Sequence, residues 1–181
     1  MRKLVDFPKL QQRTETSDWA CVSRMIINYY EKSELYDTDQ SLANEYSTKT
    51  GENCDRDLNK LGSAPDILRL LGHDNKMHQE HFPGKKEIKT VIKAGIPVLA
   101  LVTIKKPTSR NSKHESDHWV IIIGIKGDKL LVADPLNHEP IEVEYDFQEY
   151  KHSGYRNIYY WVRAYYVDSK NEENVELIAA L

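Results

Sequence analysis

In the first half of the chain, apolar residues recur at the spacing of α-helices. The clearest pattern begins at Trp19 and runs to about Glu31. Ser17 or Asp18 is its expected N-cap, because both residue types accept hydrogen bonds from the free N–H groups of a first helical turn. Weaker helical patterns cover residues 39–47, 65–71 and about 86–94. The first half of the chain is therefore predicted to be helical.

The second half changes to short apolar runs rich in β-branched and aromatic residues, a pattern typical of strands. The runs cover residues 97–104, 118–125, 129–134, 141–145 and 159–167. Helices followed by an antiparallel sheet define an α+β fold class. We expect one domain over residues 1–181, with a helical half at about 8–95, a sheet half at about 96–167 and an acidic tail at 168–181.

The composition is that of a folded domain and favours no charged partner. Of the 181 residues, 40% are hydrophobic and 29% are charged, and the formal net charge is −3. This charge gives no electrostatic signature of nucleic-acid binding. No apolar run reaches the roughly 18–20 residues that span a bilayer, so no membrane partner is expected. The sequence does not predict an oligomeric state.

The N-terminal residues and the two cysteines bear on the cellular compartment. The N-terminus lacks the apolar core and the small-residue cleavage site of a Sec signal peptide. The expected location is cytoplasmic, or outside the cell after export without such a signal. Cys21 and Cys54 are predicted to be reduced structural thiols, because two cysteines without an export signal do not indicate a disulfide scaffold.

The segment 12–20 carries a pattern found at one kind of active site. Gln12 precedes Asp18 by six residues, and Asp18 is followed by Trp19-Ala20 at the start of the predicted helix. This segment resembles the active-site opening of the papain-like cysteine peptidases, in which a Gln precedes the nucleophilic Cys by six residues and Trp-Ala follows the Cys. Asp18 therefore stands at the position of the nucleophile.

Two motifs in the predicted sheet extend the resemblance. His118-Trp119 begins one apolar strand, and Asp134-Pro135 ends the next strand after a turn. A hairpin brings its two outer ends side by side. Compact bacterial peptidases of this fold, such as the staphopain-like enzymes and the bacteriocin-processing domains of ABC transporters, carry a similar His strand followed by a strand that ends in Asp-Pro. The resemblance spans roughly residues 8–165.

The resemblance implies a papain-like fold and the cleavage or transfer of peptide amides by a Cys–His–Asp mechanism. It makes His118 the general base and Asp134 the residue that orients it. It makes Gln12 the donor to the oxyanion, with Trp19 and Trp119 as binding residues. It implies no metal and no cofactor, and a peptide or protein as the substrate or partner.

Asp at the nucleophile position changes the expected activity. A carboxylate attacks amides poorly and its acyl product would be an anhydride, so the chain is predicted to be inactive or impaired as a cysteine peptidase. Three interpretations stay open: a pseudoenzyme that binds a peptide or protein, an acid–base enzyme that uses Asp18 and His118, and a chain altered at a natural Cys. Whether its biological role is that of an effector, a biosynthetic enzyme or a binding module is also open.

Each of these residues has a purely structural interpretation as well. Asp18 is a good N-cap, His118 suits a strand end, and Asp134 precedes a proline in a common turn. Cys21 lies about one helical turn after Asp18 and is a second candidate nucleophile. A buried Cys at that position would be inert.

A different motif overlaps the His118 strand. Residues 114–118 match His-Glu-x-x-His, the pattern of zinc peptidases. That pattern needs both His side chains on one face of a helix. The preceding residues show no helical periodicity and the following ones are β-branched, so we expect no zinc. His78 and His81 are another candidate ligand pair, for which a solvated polar segment is favoured.

Overall fold

The computed structural model describes residues 2–14, 17–51, 64–73, 77–79, 82–104, 117–146, 149–150 and 159–168. The helices in these ranges are α1 (Asp18–Glu31), α2 (Asp39–Thr50), α3 (Ala64–Leu70) and α4 (Lys85–Lys93). The strands are β1 (Arg2–Lys3), β2 (Met77–Gln79), β3 (Val98–Ile104), β4 (Asp117–Lys126), β5 (Lys129–Ala133), β6 (Ile141–Glu144), β7 (Glu149–Tyr150) and β8 (Tyr159–Tyr166).

The strands form one antiparallel sheet in the order β2–β8–β3–β4–β5–β6. β1 pairs with the far end of β4, and β7 pairs with β8. Every β4 residue between its two exposed ends is buried. Burial on both faces explains why the β4 sequence is continuously apolar instead of alternating. The predicted α+β class, with N-terminal helices and a C-terminal sheet, is confirmed.

α1 is the most deeply buried helix of the N-terminal half. Every residue from Asp18 to Asn28 is buried, and the helix packs against α2, α3 and β4. It stops at Lys32, whose backbone is left-handed with φ 53°. The N-terminus of α1 is consequently enclosed and lies against the strand that carries His118.

The N-cap of α1 is Ser17, one of the two residues predicted for it, but the expected side-chain cap is absent. The Ser17 side chain makes no capping hydrogen bond. Ser17 Oγ instead donates to Asp39 Oδ2 at 2.8 Å. Asp18 is the first residue of the helix itself, and the network around Asp39 takes precedence over local capping.

The other helix boundaries follow local sequence signals. Thr38 and Ser41 form a capping box at the start of α2. Gly51 ends α2 with a φ of 73°, a conformation that glycine adopts without strain. Gly95, shortly after the end of α4, has a φ of 83°.

One hydrophobic core joins the helices to the sheet. Its fully buried side chains include Met25 and Ile26 of α1, Leu68 of α3, Ile88 of α4 and Ile121 of β4. Side chains packed at this density hold α1 at a fixed position on β4. Among the described residues, no helix combines the length and the apolarity that crossing a bilayer requires.

Several predictions concern residues outside the described ranges. They include Cys54, residues 114–116 of the His-Glu-x-x-His pattern and the tail from residue 169 onward. The single-domain organisation stays a prediction.

Candidate active site

Asp18 lies at the N-terminus of α1 with its carboxylate held by hydrogen bonds from two parts of the chain. Its Oδ1 accepts the Trp19 N–H at 2.8 Å, and its Oδ2 accepts the Trp119 N–H at 2.7 Å. His118 Nδ1 lies 3.1 Å from Oδ2. Asp18 is only 7% exposed. The positive end of the α1 dipole and these donors all favour a negative charge at this position.

The His118 ring lies between two carboxylates. Its Nε2 is 2.9 Å from Asp134 Oδ1, on the opposite side of the ring from Asp18. The β4–β5 hairpin produces this contact, because Ile121 pairs with Ala133 and the chain reaches Asp134 one residue later. His118 therefore contacts both Asp18 and Asp134, and the catalytic roles assigned to the three residues stay predictions.

Asp134 is fixed by the turn that follows β5. Its Oδ1 also accepts the backbone N–H of Leu136 at 2.9 Å, two residues further along the chain. A carboxylate bonded to its own turn in this way has a defined orientation. The Asp134 side chain is fully buried, so it can hold the His118 ring in place without exchanging with solvent.

The two carboxylates determine the charge of His118. Burial by itself lowers the pKa of His118, but the hydrogen bonds to Asp134 and Asp18, together with their charges, outweigh it and raise the pKa from 6.5 to about 9. At neutral pH the ring is therefore an imidazolium, and each of its two N–H groups donates to one carboxylate. The three side chains form a carboxylate–imidazolium–carboxylate array.

Gln12 lies beside the Asp134 turn. Its backbone N–H donates to the Pro135 carbonyl at 2.9 Å. Its side-chain Nε2 donates to the Thr14 carbonyl at 2.8 Å, within the same loop. The amide is therefore used to shape the loop that precedes Asp18, and its assignment as oxyanion donor stays a prediction.

The two tryptophans contribute through their backbones. Both side chains are buried: the Trp19 ring packs edge-on against Tyr46 at 6.5 Å, and the Trp119 ring lies 6.0 Å from Tyr165. Their N–H groups are the donors to Asp18. The sequence does not indicate this role, because nearly every residue type has a backbone N–H. The role becomes visible only when α1 is seen packed against β4. The assignment of the two side chains as binding residues stays a prediction.

Cys21 is a core residue. It is fully buried, and burial, followed by the charge of nearby Asp39, strongly raises the pKa of its thiol. A protonated thiol without solvent access is not a nucleophile. The alternative that Cys21 replaces the missing catalytic thiol is therefore not supported.

A buried ion pair supports the loop before Asp18, and sequence reasoning missed it. Arg24 Nη1 lies 2.7 Å from Asp39 Oδ1, with both side chains almost completely buried. The other Asp39 oxygen accepts from Ser17, directly before Asp18. Arg24 also donates to the Tyr36 and Asp37 carbonyls. The start of α2 is thereby tied to the start of α1. In the sequence, the only signal of this ion pair was an Arg on one predicted helix and an Asp at the start of the next.

The zinc-peptidase pattern is not placed on a helix where the structure describes it. Asp117 and His118 open strand β4, and the remaining residues of the pattern lie outside the described ranges. His78 lies on β2, its side chain is not described, and His81 lies outside the described ranges. Within the described part of the chain, no cluster of three or more His, Cys, Asp or Glu side chains is arranged to hold a metal ion.

The helical half, the antiparallel sheet and the position of His118 between them define the papain-like cysteine peptidase fold. The chain belongs to the Peptidase C39 like family, whose sequence model matches residues 5–167. A crystal structure of a putative C39-like peptidase from Bacillus anthracis superposes with a TM-score of 0.51, covering 90% of this chain and 98% of that one. The two sequences are 13% identical, so this likeness concerns the fold alone. A search of curated proteins finds no match.

Proposed function

We propose that this chain is a peptidase C39-like scaffold that does not cleave peptide bonds by thiol chemistry and that binds a peptide or protein at the site of Asp18, His118 and Asp134. The observation that carries the proposal is the position of His118 between Asp18 and Asp134, at 3.1 and 2.9 Å. A general base must have a free nitrogen lone pair. Here both ring nitrogens carry protons and donate them to carboxylates.

The nucleophile position supports the same proposal. Asp18 already accepts two backbone N–H groups and contacts His118, so its charge is well stabilised. Attack on an amide would exchange this stabilised carboxylate for a high-energy anhydride. Cys21 offers no substitute, because it is fully buried. Amide hydrolysis by the covalent route of the family is therefore disfavoured.

The acid–base alternative has less support than binding. Proton transfer needs a donor and an acceptor whose affinities for the proton are close to each other and to the ambient pH. The two carboxylates instead raise the pKa of His118 to about 9. As long as Asp18 is a carboxylate, both His118 ring nitrogens carry protons, so the ring cannot serve as the base in a proton abstraction near pH 7.

A paired experiment tests the proposal. Asp18→Cys restores the residue type of the family, and a proteome-derived peptide mixture incubated with this variant should yield His118-dependent cleavage products. Their sequences define the preferred peptide. The unmodified protein should then bind that peptide uncut, measured by fluorescence anisotropy.

Two control variants test whether cleavage depends on His118 and on the thiol at position 18. Asp18→Cys combined with His118→Ala should cleave nothing, and Asp18→Cys combined with Cys21→Ala should cleave normally. Cleavage by the unmodified protein that disappears in Asp18→Asn would contradict the proposal. Failure of the unmodified protein to bind the peptides that Asp18→Cys cleaves would also contradict it.

A further inference from the structure

The Asp18 carboxylate is a poor reagent for amides and a suitable one for saturated carbon. Attack on a carbonyl gives an anhydride, whereas attack on a strained sp³ carbon gives an ester, which is stable enough to form and can be hydrolysed. We propose that Asp18, His118 and Asp134 hydrolyse small epoxides to diols through an ester on Asp18. This activity goes beyond peptide binding and does not depend on it.

The geometry supplies each group that the first step needs. One Asp18 oxygen attacks an epoxide carbon, the O–C bond forms, and the C–O bond of the ring breaks. The released oxygen takes the Nδ1 proton of His118, which lies 3.1 Å from Asp18 Oδ2. The products are a hydroxyalkyl ester of Asp18 and a neutral imidazole. No other reagent is required.

Esterification removes the condition that kept His118 from acting as a base. The ester carries no charge, so one of the two carboxylates that favour the imidazolium is lost. Asp134 still holds Nε2 at 2.9 Å and keeps the proton on that nitrogen. The Nδ1 lone pair then lies beside Asp18 Oδ2, the position from which it can take a proton from a hydrolytic water.

The second step returns the site to its starting state. Water attacks the carbonyl carbon of the Asp18 ester and gives one proton to His118. The Trp119 N–H, 2.7 Å from Asp18 Oδ2, is placed to stabilise the negative oxygen of the tetrahedral intermediate. The ester C–O bond breaks, and the departing alkoxide takes the remaining proton of the water. Asp18 is again a carboxylate and His118 an imidazolium.

Burial sets the size of the substrate. Asp18 and His118 are 7% and 6% exposed, so only a small part of the array meets solvent. A compact, uncharged electrophile best matches a site with so little exposed surface, and the two carboxylates disfavour an anionic one. Styrene oxide and epoxybutane are therefore appropriate probes.

The test is a single turnover of the unmodified protein with styrene oxide in heavy-oxygen water. An ester mechanism places the heavy oxygen in the Asp18 carboxylate, which peptide mass spectrometry detects. Diol formation should exceed that of Asp18→Asn by about tenfold or more, because the Asn amide is a much weaker nucleophile than the Asp carboxylate. Asp117→Asn, an exposed neighbour on β4, is the matched control and should react normally.

The His118→Ala variant provides a second test, which does not require fast turnover. With an alkyl bromide, whose leaving group needs no proton, His118→Ala should accumulate an ester on Asp18 that the unmodified protein clears. Equal diol formation in the unmodified protein and Asp18→Asn, or absence of both label and adduct at Asp18, would overturn the proposal. Thiol reactivity in Asp18→Cys without any of these signals would reject the epoxide chemistry and leave the peptidase scaffold intact.

Discussion

Asp18 reproduces the charge of a catalytic thiolate with a group that forms more hydrogen bonds. Its two oxygens accept the N–H groups of Trp19 and Trp119 and contact His118. A single sulfur at the same position would lie at the same helix terminus beside the same imidazolium. The surroundings of residue 18 thus favour an anion whether the side chain is a carboxylate or a thiol.

A thiol placed at this position should therefore be reactive. In Asp18→Cys we expect the new thiol to alkylate about tenfold or more faster than an exposed cysteine at a pH of about 6, where a free thiol with a pKa of about 8.5 is almost wholly protonated. Iodoacetamide kinetics followed by mass spectrometry measure this rate. Adding His118→Ala should remove the advantage, and Cys21→Ala should not change it. An alkylation rate equal to that of a free cysteine would contradict preorganisation at residue 18.

His118 should also make stability depend on pH. Its pKa rises from 6.5 to about 9 in the folded protein. The folded state therefore binds the proton more tightly, and this contribution to stability is fully present below pH 6.5 and is lost as the pH rises through about 9. The contribution is about 3 kcal/mol, at about 1.4 kcal/mol for each pKa unit.

Urea unfolding at several pH values tests the His118 contribution. The unmodified protein should lose stability between pH 6.5 and about 9. The His118→Gln variant, which has no titrating ring, should show a flatter profile over the same range. Parallel profiles for the two proteins would show that His118 is not held as an imidazolium.

At the residue scale, the sequence predicts the side chains of the site better than the groups that hydrogen-bond to them and hold them in position. The resemblance to papain-like peptidases points to Gln12, Asp18, His118 and Asp134, and the contacts of His118 with both carboxylates are present. The Trp119 N–H and the Asp39 carboxylate do not follow, because their positions depend on how α1 meets β4 and α2. No local sequence pattern indicates how these elements pack against each other.

At the scale of elements, the start of α1 depends on the start of α2. Ser17 gives its hydroxyl to Asp39 instead of capping its own helix, and Arg24 neutralises Asp39 from one face of α1. The loop that carries Gln12 and leads to Asp18 is therefore held by a residue from a different helix. This explains why Ser17 does not cap α1 with its side chain, whereas Thr38 does cap α2.

Breaking this pair on one side should be costly. Asp39→Ala leaves the Arg24 charge buried beside backbone carbonyls, and we expect a loss of about 3–5 kcal/mol in the free energy of unfolding. Arg24→Met combined with Asp39→Leu removes both charges and should lie closer to the unmodified protein. Denaturant unfolding of the three proteins measures both effects. An Asp39→Ala variant as stable as the unmodified protein would show that the ion pair contributes little to stability.

The elements that the sequence predicts are the long ones. The four helices and strands β3, β4, β5, β6 and β8 have a periodic or continuous apolar pattern over several residues. β1, β2 and β7 have two or three residues each, which is too short for a period to be visible. They are held by pairing: Gly124 of β4 allows Lys3 to approach so closely that an added Cβ would lie 2.9 Å from the Lys3 Cβ.

At the scale of the whole molecule, one hydrophobic core spans α1 and the sheet. We therefore expect the helices and the sheet to unfold together in a single transition. Far-UV circular dichroism follows the helices. The fluorescence of a Trp19→Phe variant follows the sheet, because Trp119 and Trp161 lie on β4 and β8. Coincident midpoints are the expected result, and separated midpoints would indicate two independently folding halves.

The strand order is the part of the architecture that sequence patterns leave open. β8, the last strand within the described ranges, lies between β2 and β3. Its aromatic-rich sequence predicts a strand, but several neighbours satisfy that pattern equally well. Only the packing of the complete sheet selects β3 as its partner.

The distance along the chain between the site residues has a consequence for synthesis. Asp18 and His118 are separated by 100 residues, and Asp134 follows 16 residues later. While the ribosome is still adding the middle of the chain, α1 has no β4 to cover it, and its apolar face is open to solvent. The helical half of the nascent chain therefore cannot complete its packing before the strands have been synthesised. We expect chaperones to bind mainly to α1 during translation until β5 has emerged from the ribosome.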